Sequence, residues 1–210
     1  MRFFSTAIIF IATSLALIGC SENEPDEPVD PNEIIVFVMD DTEFRVRRKY
    51  MISIGRRKTN DEISNAKLWA LLPDFEAYDK DKNFVEFHET LGHGRRLRIL
   101  LRPGKGGGAE NVRDSAKRNG GLTNSDFHGL EEYTNAMTGE KLYFSNSEHL
   151  ASFYYSCGVD VPSPGCFGSF RVADDISSTT SFAYEYLPMW REIHEGVRLI
   201  TLDAYDFETN

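Results

Sequence analysis

Residues 190–207 read WREIHEGVRLITLDAYDF, and here the spacing of apolar side chains stretches from two residues to between three and four. Trp190, Ile193, Val197, Ile200, Ala204 and Phe207 fall on one helical stripe. Pro188 sits near the first turn, where its missing donor costs least, and Gly196 weakens the helix only slightly. Over residues 191–208, Glu192, Glu195, Asp203, Asp206 and Glu208 stand against Arg191 and Arg198. An acidic face of this kind suits water better than an anionic bilayer. The stripe therefore needs a protein surface to cover it.

Strand signals upstream supply that surface. Ile34-Ile35-Val36-Phe37-Val38-Met39 is a β-rich run, Asp40-Asp41 is turn chemistry, and Phe44-Arg45-Val46-Arg47 alternates with period two. Together they predict a hairpin. Further strands are expected at residues 50–54, 68–72, 97–101, 142–144, 151–156, 167–172 and 179–186. Phe84, Phe87, His88 and Leu91 recur at helical spacing and predict a short helix between residues 79 and 91. Residues 103–121, with glycine at 104, 106, 107, 108, 120 and 121, read as a long surface loop. The expected fold is a single α+β domain over residues 34–210: a mostly antiparallel sheet with the C-terminal amphipathic helix packed on it.

The N-terminus carries an address. Met1-Arg2 is followed by an apolar stretch from Ala7 to Leu17, broken only by Thr13 and Ser14. About 11 helical residues cover only about 16 Å, half of a hydrocarbon core, so the segment reads as a secretory signal. Leu17-Ile18-Gly19-Cys20 resembles the lipobox of bacterial lipoprotein precursors. The resemblance implies removal of a signal peptide at residues 1–19 and lipidation of Cys20. With Ser21 rather than Asp after the cysteine, it also implies the outer membrane, facing the periplasm. Residues 20–33 then form the lipidated cysteine and a tether. The stretch SENEPDEPVDPNE, residues 21–33, has three prolines, six acidic residues and one aliphatic residue. It is expected to stay disordered, because it buries too little apolar area to offset its ordering entropy.

Cys157 and Cys166 bracket a Pro/Gly loop between two aromatic strand candidates. In a secreted chain that arrangement predicts a disulfide. His88-Glu89-Thr90-Leu91-Gly92-His93 lies near the zinc-protease pattern His-Glu-x-x-His, but its second histidine comes one residue late. Positions i and i+5 lie about 140° apart on a helix, so the two rings cannot share a tetrahedral zinc unless Gly92 breaks the helix. The glycine run at 104–108 lacks the Gly-Lys-Ser/Thr order of a phosphate loop, and no Gly-x-Ser-x-Gly elbow is present. His128, His149 and His194 receive no role. No catalytic residue, metal ligand or cofactor is assigned.

Charge separates along the chain. The net charge is −10, yet residues 44–118 carry 18 Lys/Arg against 10 Asp/Glu, whereas residues 121–210 carry 4 against 14. The basic residues cluster as Arg45, Arg47, Arg48, Lys49; Arg56, Arg57, Lys58; and Arg95, Arg96, Arg98, Arg102. Period-two spacing puts Arg45 with Arg47, and Arg96 with Arg98, on shared strand faces. These four are candidate partner-binding residues, with Trp69 and Tyr154 as aromatic anchors. Internal pairing with the acidic C-terminal half is the competing expectation. Nucleic acid is an unsuitable partner outside the cytoplasm.

Leu68-Trp69-Ala70-Leu71-Leu72-Pro73-Asp74-Phe75-Glu76-Ala77-Tyr78 is similar to segments of small envelope immunity proteins, which neutralise interbacterial toxins. The resemblance covers this stretch and the overall build, and carries over no functional residue. It implies a membrane-anchored, periplasm-facing, non-enzymatic protein-binding module whose partner is a toxin. The alternatives are an envelope-assembly or structural lipoprotein, and an enzyme acting on lipid or peptidoglycan with His88, Glu89 and His93 as its site.

Overall fold

The computed structural model describes residues 30–55, 62–88, 92–104, 109–145 and 153–204. The signal segment, Cys20, residues 21–29 of the tether, Arg56-Arg57-Lys58, Glu89, the glycine run at 105–108, His149 and Phe207 lie outside the described residues.

The chain opens with the expected hairpin, β1 (Ile34–Met39) and β2 (Thr42–Arg47). Asp40 and Asp41 take φ of 45° and 63°, the left-handed pair that a two-residue turn requires. Short polar side chains tolerate that conformation better than other non-glycine residues. Phe37 lies opposite Phe44 and stacks on it with centroids 5.3 Å apart. The tether's last residues are clipped to this unit. The Arg48 backbone N–H donates to the Glu33 carbonyl at 2.8 Å, and the Arg48 Nε to the Glu33 carboxylate at 2.7 Å.

Beyond a short 3-10 turn come β3 (Met51–Ile54), β4 (Ala66–Leu71), α1 (Phe84–His88) and β5 (Arg96–Pro103). Then follow α2 (Ala109–Asn119), β6 (Gly120–Phe127), β7 (Leu130–Asn135) and β8 (Lys141–Ser145). The chain continues through β9 (Tyr154–Gly158), β10 (Gly165–Ala173) and β11 (Ile176–Ala183) to α3 (Trp190–Leu202). One nine-stranded sheet runs β3-β4-β5-β11-β10-β9-β8-β7-β6, with every neighbouring pair antiparallel. It consists of two meanders, β3 to β5 and β6 to β11, joined side by side where β11 returns to β5. The connection through α2 carries the chain from the middle of the sheet to its far edge.

The hairpin and α3 cover one face. Leu68, Ile99, Tyr155, Phe170 and Phe182 from the sheet meet Trp190, Ile193, Val197 and Ile200 from α3, and Phe44 and Val46 from β2. A fully buried side chain of this size contributes about 1.5–3 kcal/mol, so this one layer dominates stability. Gly196 has a packing reason for lying in α3: a Cβ there would overlap the Phe75 ring. The disulfide Cys157–Cys166 joins directly opposed residues of β9 and β10 on the same face. Closing so short a loop is worth roughly 2.5–3 kcal/mol.

Three expectations change. The C-terminal helix stops at Leu202, with Ala204 at φ 49°, a turn before the apolar stripe runs out. Residues 103–121 are not one loop, because Val112 and Ala116 make a narrow stripe that seats α2 against Tyr133, Leu142 and Phe144. Small residues and flanking glycines hide that stripe in the sequence. Finally, β6 and β7 are strands that polar composition conceals.

Candidate partner-binding face

Antiparallel register brings side chains of successive strands into rows on the sheet face opposite α3. One row runs Trp69, Arg98, Ser181, Phe167, Ser156 across β4, β5, β11, β10 and β9. Beside it run Lys67, Leu100, Thr179, Ser169 and Tyr154, then Arg102, Ser177 and Arg171. At about 4.8 Å per strand, the first row is about 19 Å long. Lys67, Arg98, Arg102, Phe167 and Arg171 are exposed, Phe167 to 56%. No described element lies over the centre of this face.

Two walls bound it. Over one end, α1 packs on Trp69, whose ring stacks on Phe87 at 6.1 Å and lies 6.0 Å from His88. The Arg98 guanidinium sits over the same indole, 5.9 Å from its centroid. Over the other end lies α2. Between α2 and strands β8 to β10 opens a cavity of about 470 Å³, lined by Val112, Ser115, Ala116, Leu142, Tyr154 and Phe167 among others.

The electrostatics of the face are one-sided. Strands β4, β5, β11 and β10 contain no aspartate or glutamate. Among the described residues, no carboxylate forms an ion pair with Lys67, Arg98, Arg102 or Arg171. The His93 imidazole lies at the border of the face, beside Arg98 and Arg96. Burial holds it below its ordinary range, and Arg98 and Arg96 push it the same way.

The four arginines singled out in the sequence do not form one surface. Arg98 lies on the open face, beside Trp69 at its α1 end. Arg96 shares its strand parity but is buried at 7% exposure, because α1 and the turn after it fold back over the end of β5. Its guanidinium donates to the carbonyls of Phe87, Gly92 and His93, so it braces that wall. Arg95 likewise serves structure, pairing with Glu76 at 2.6 Å and Glu86 at 3.2 Å. Arg45 and Arg47 belong to the hairpin, on the layer covering the other face. Arg45 is exposed opposite Val36, whereas the Arg47 Nε donates to the Ala204 carbonyl at 2.9 Å. Trp69 and Tyr154 do reach the open face, both partly exposed.

Sequence reading missed Phe167, Arg171 and the Ser/Thr stripe of β11 as members of this surface. The available signal was parity: Phe167 alternates with buried Cys166, Gly168 and Phe170, and so falls with polar Ser169 and Arg171. His88 and His93 are not drawn into a shared centre. The backbone N–H of His93 donates to the Ser163 hydroxyl at 3.3 Å, and His88 packs against Trp69, Tyr78 and Phe84. Among the described residues, no group of three or more His, Cys, Asp or Glu is placed to hold one metal ion. His194 is half-buried in the α3 layer, stacked 3.7 Å from Phe170 and hydrogen-bonded to the Tyr155 hydroxyl at 2.9 Å.

No family model matches the chain, and no curated protein sequence matches it. Among solved structures, the fold is similar to that of Smlt3025, an immunity protein of the Stenotrophomonas maltophilia type IV secretion system. The TM-score is 0.59 at 10% identity, over 80% of this chain and 92% of that one. At so low an identity the likeness is one of fold.

Proposed function

We propose that this chain is an immunity protein that binds an incoming toxin protein through the open sheet face and occludes it. The observation that carries the reading is the row Trp69–Arg98–Ser181–Phe167, with Arg98 and Phe167 exposed and Trp69 and Ser181 partly so, free of carboxylates, in a chain whose net charge is −10. Such a face can steer an acidic partner despite the overall negative charge. Aromatic and arginine side chains are the residues that most often dominate binding energy. The shared fold with a secretion-system immunity protein supports the same reading.

Its place of action, in this proposal, is the cell envelope. The lipobox-like Leu17-Ile18-Gly19-Cys20 would anchor the mature chain to the outer membrane, facing the periplasm, with the acidic tether holding the domain off the surface. A lipid-anchored blocker meets a delivered toxin where it arrives.

Deleting the gene in its own bacterium and growing the mutant in contact with the parent strain tests this. The mutant should be outcompeted only under contact, full-length chain should restore it, and Arg98→Glu should not. Cys20→Ser should move the protein out of the membrane fraction. A deletion mutant that competes equally under contact would sink the immunity reading, and a membrane-bound Cys20→Ser chain would sink the anchor.

A further inference from the structure

We propose that the cavity beside α2 receives an apolar side chain from an acidic segment of the toxin, whose carboxylates lie on Arg98 and its cationic neighbours. This deepens the immunity reading and rests on it. The floor of the open face measures about 19 Å by about 14 Å, roughly 270 Å². A stable protein interface occupies about 800 Å² on each partner, so the floor alone is too small and the walls must take part. The α1 wall is filled by Trp69, Phe87 and His88. The α2 wall instead leaves about 470 Å³ open.

That space has the character of an anchor pocket. Val112, Ala116, Leu142, Tyr154 and Phe167 make it apolar on several sides, and Phe167 stands 56% exposed at its rim. Asn111, Ser115, Asn119 and Asn135 also line it, and the Ser156 hydroxyl donates to the Glu140 carboxylate. Phe167 and Arg98 are two strands apart in the same row, about 10 Å. An occupant therefore carries its acidic residue about 10 Å from its apolar one, with the acidic end toward β5. Glu140 at the opposite end repels the reversed orientation, which gives the pocket a direction as well as a shape.

The test is peptide selection on the purified lipidated chain with a random display library, followed by affinity measurement on variants. Enriched peptides should combine Asp or Glu with an aromatic or branched aliphatic residue. Ser115→Trp, which fills the cavity, and Arg98→Glu should each weaken them at least about tenfold. Phe167→Ala, at an exposed position, should also weaken them and guards against misfolding of the filled variant. No enrichment, peptides without acidic residues, or affinity indifferent to both Ser115→Trp and Phe167→Ala would overturn the proposal. The contact assay separates the two readings. Full protection by Ser115→Trp and Phe167→Ala in a chain that is needed for survival would refute the pocket and leave immunity standing.

Discussion

Two faces of one sheet divide the work between them. On the covered face, β4, β5, β11, β10 and β9 present Leu68, Ile99, Thr180, Gly168 and Tyr155 to the hairpin and α3. On the open face, the same five strands present Trp69, Arg98, Ser181, Phe167 and Ser156. The two sets are adjacent in sequence, and each residue differs from its counterpart only in strand parity. One parity is aliphatic, aromatic or small and fully enclosed; the other is cationic, hydroxylic and aromatic in water. Stability thus depends on one set and the proposed recognition on the other, so substitutions in the two sets should have separable effects.

The largest contrast should come from the two tryptophans. Trp190 is 1% exposed and packs against Phe153 at 5.0 Å, with its indole N–H donating to the His128 carbonyl at 3.0 Å. Trp190→Ala removes that packing and leaves a cavity, so denaturant unfolding should show a loss of about 3–5 kcal/mol. Trp69→Ala, at a partly exposed position, should cost far less stability but weaken toxin binding. Equal destabilisation by the two would mean that the open face is also structural.

A second contrast lies in acid. The His194 imidazole is pushed down from 6.5 to about 3 by burial alone. Between those values the unfolded chain holds a proton that the folded chain excludes, so stability is complete above pH 6.5 and falls as pH drops toward 3. The unfolding constant should rise by about tenfold per pH unit in that window from this group. His194→Gln should flatten the slope relative to the parent chain, as read by thermal melts across pH. An identical acid slope in His194→Gln would show that carboxylates alone set it.

Much of this architecture was legible in residue spacing. The period-two run of β5 separates Leu97, Ile99 and Leu101 from Arg98 and Arg102, and the 3.6 period of α3 gives its buried stripe. The Asp40-Asp41 turn and the Cys157–Cys166 pair also follow from local chemistry. What spacing does not contain is which strands become neighbours. Trp69 meets Arg98, and Arg98 meets Ser181, through pairings up to 83 residues apart in sequence, so the row exists only once the two meanders join. Arg96 shows the other limit. Its parity matches Arg98, but a five-residue helix folding back over it turns a surface cation into a brace for backbone carbonyls. Arg45 and Arg98 looked equivalent in composition and ended on opposite layers.

That last pair gives the smallest and most discriminating prediction. Arg98 and Arg45 are both exposed strand arginines, so Arg98→Glu and Arg45→Glu change net charge identically. Surface substitutions of this kind alter stability by no more than about 0.5 kcal/mol, and both variants should melt with the parent. If only overall charge steered the toxin, the two would slow association equally. If the open face receives it, Arg98→Glu should cut the association rate several-fold at low salt, while Arg45→Glu should change it little. Rising ionic strength should then shrink the difference, because the charges are exposed and screened within about 10 Å. Association kinetics across a salt series decide the matter. A matched loss in the two variants would place the steering field on the whole molecule rather than on the row beside Trp69.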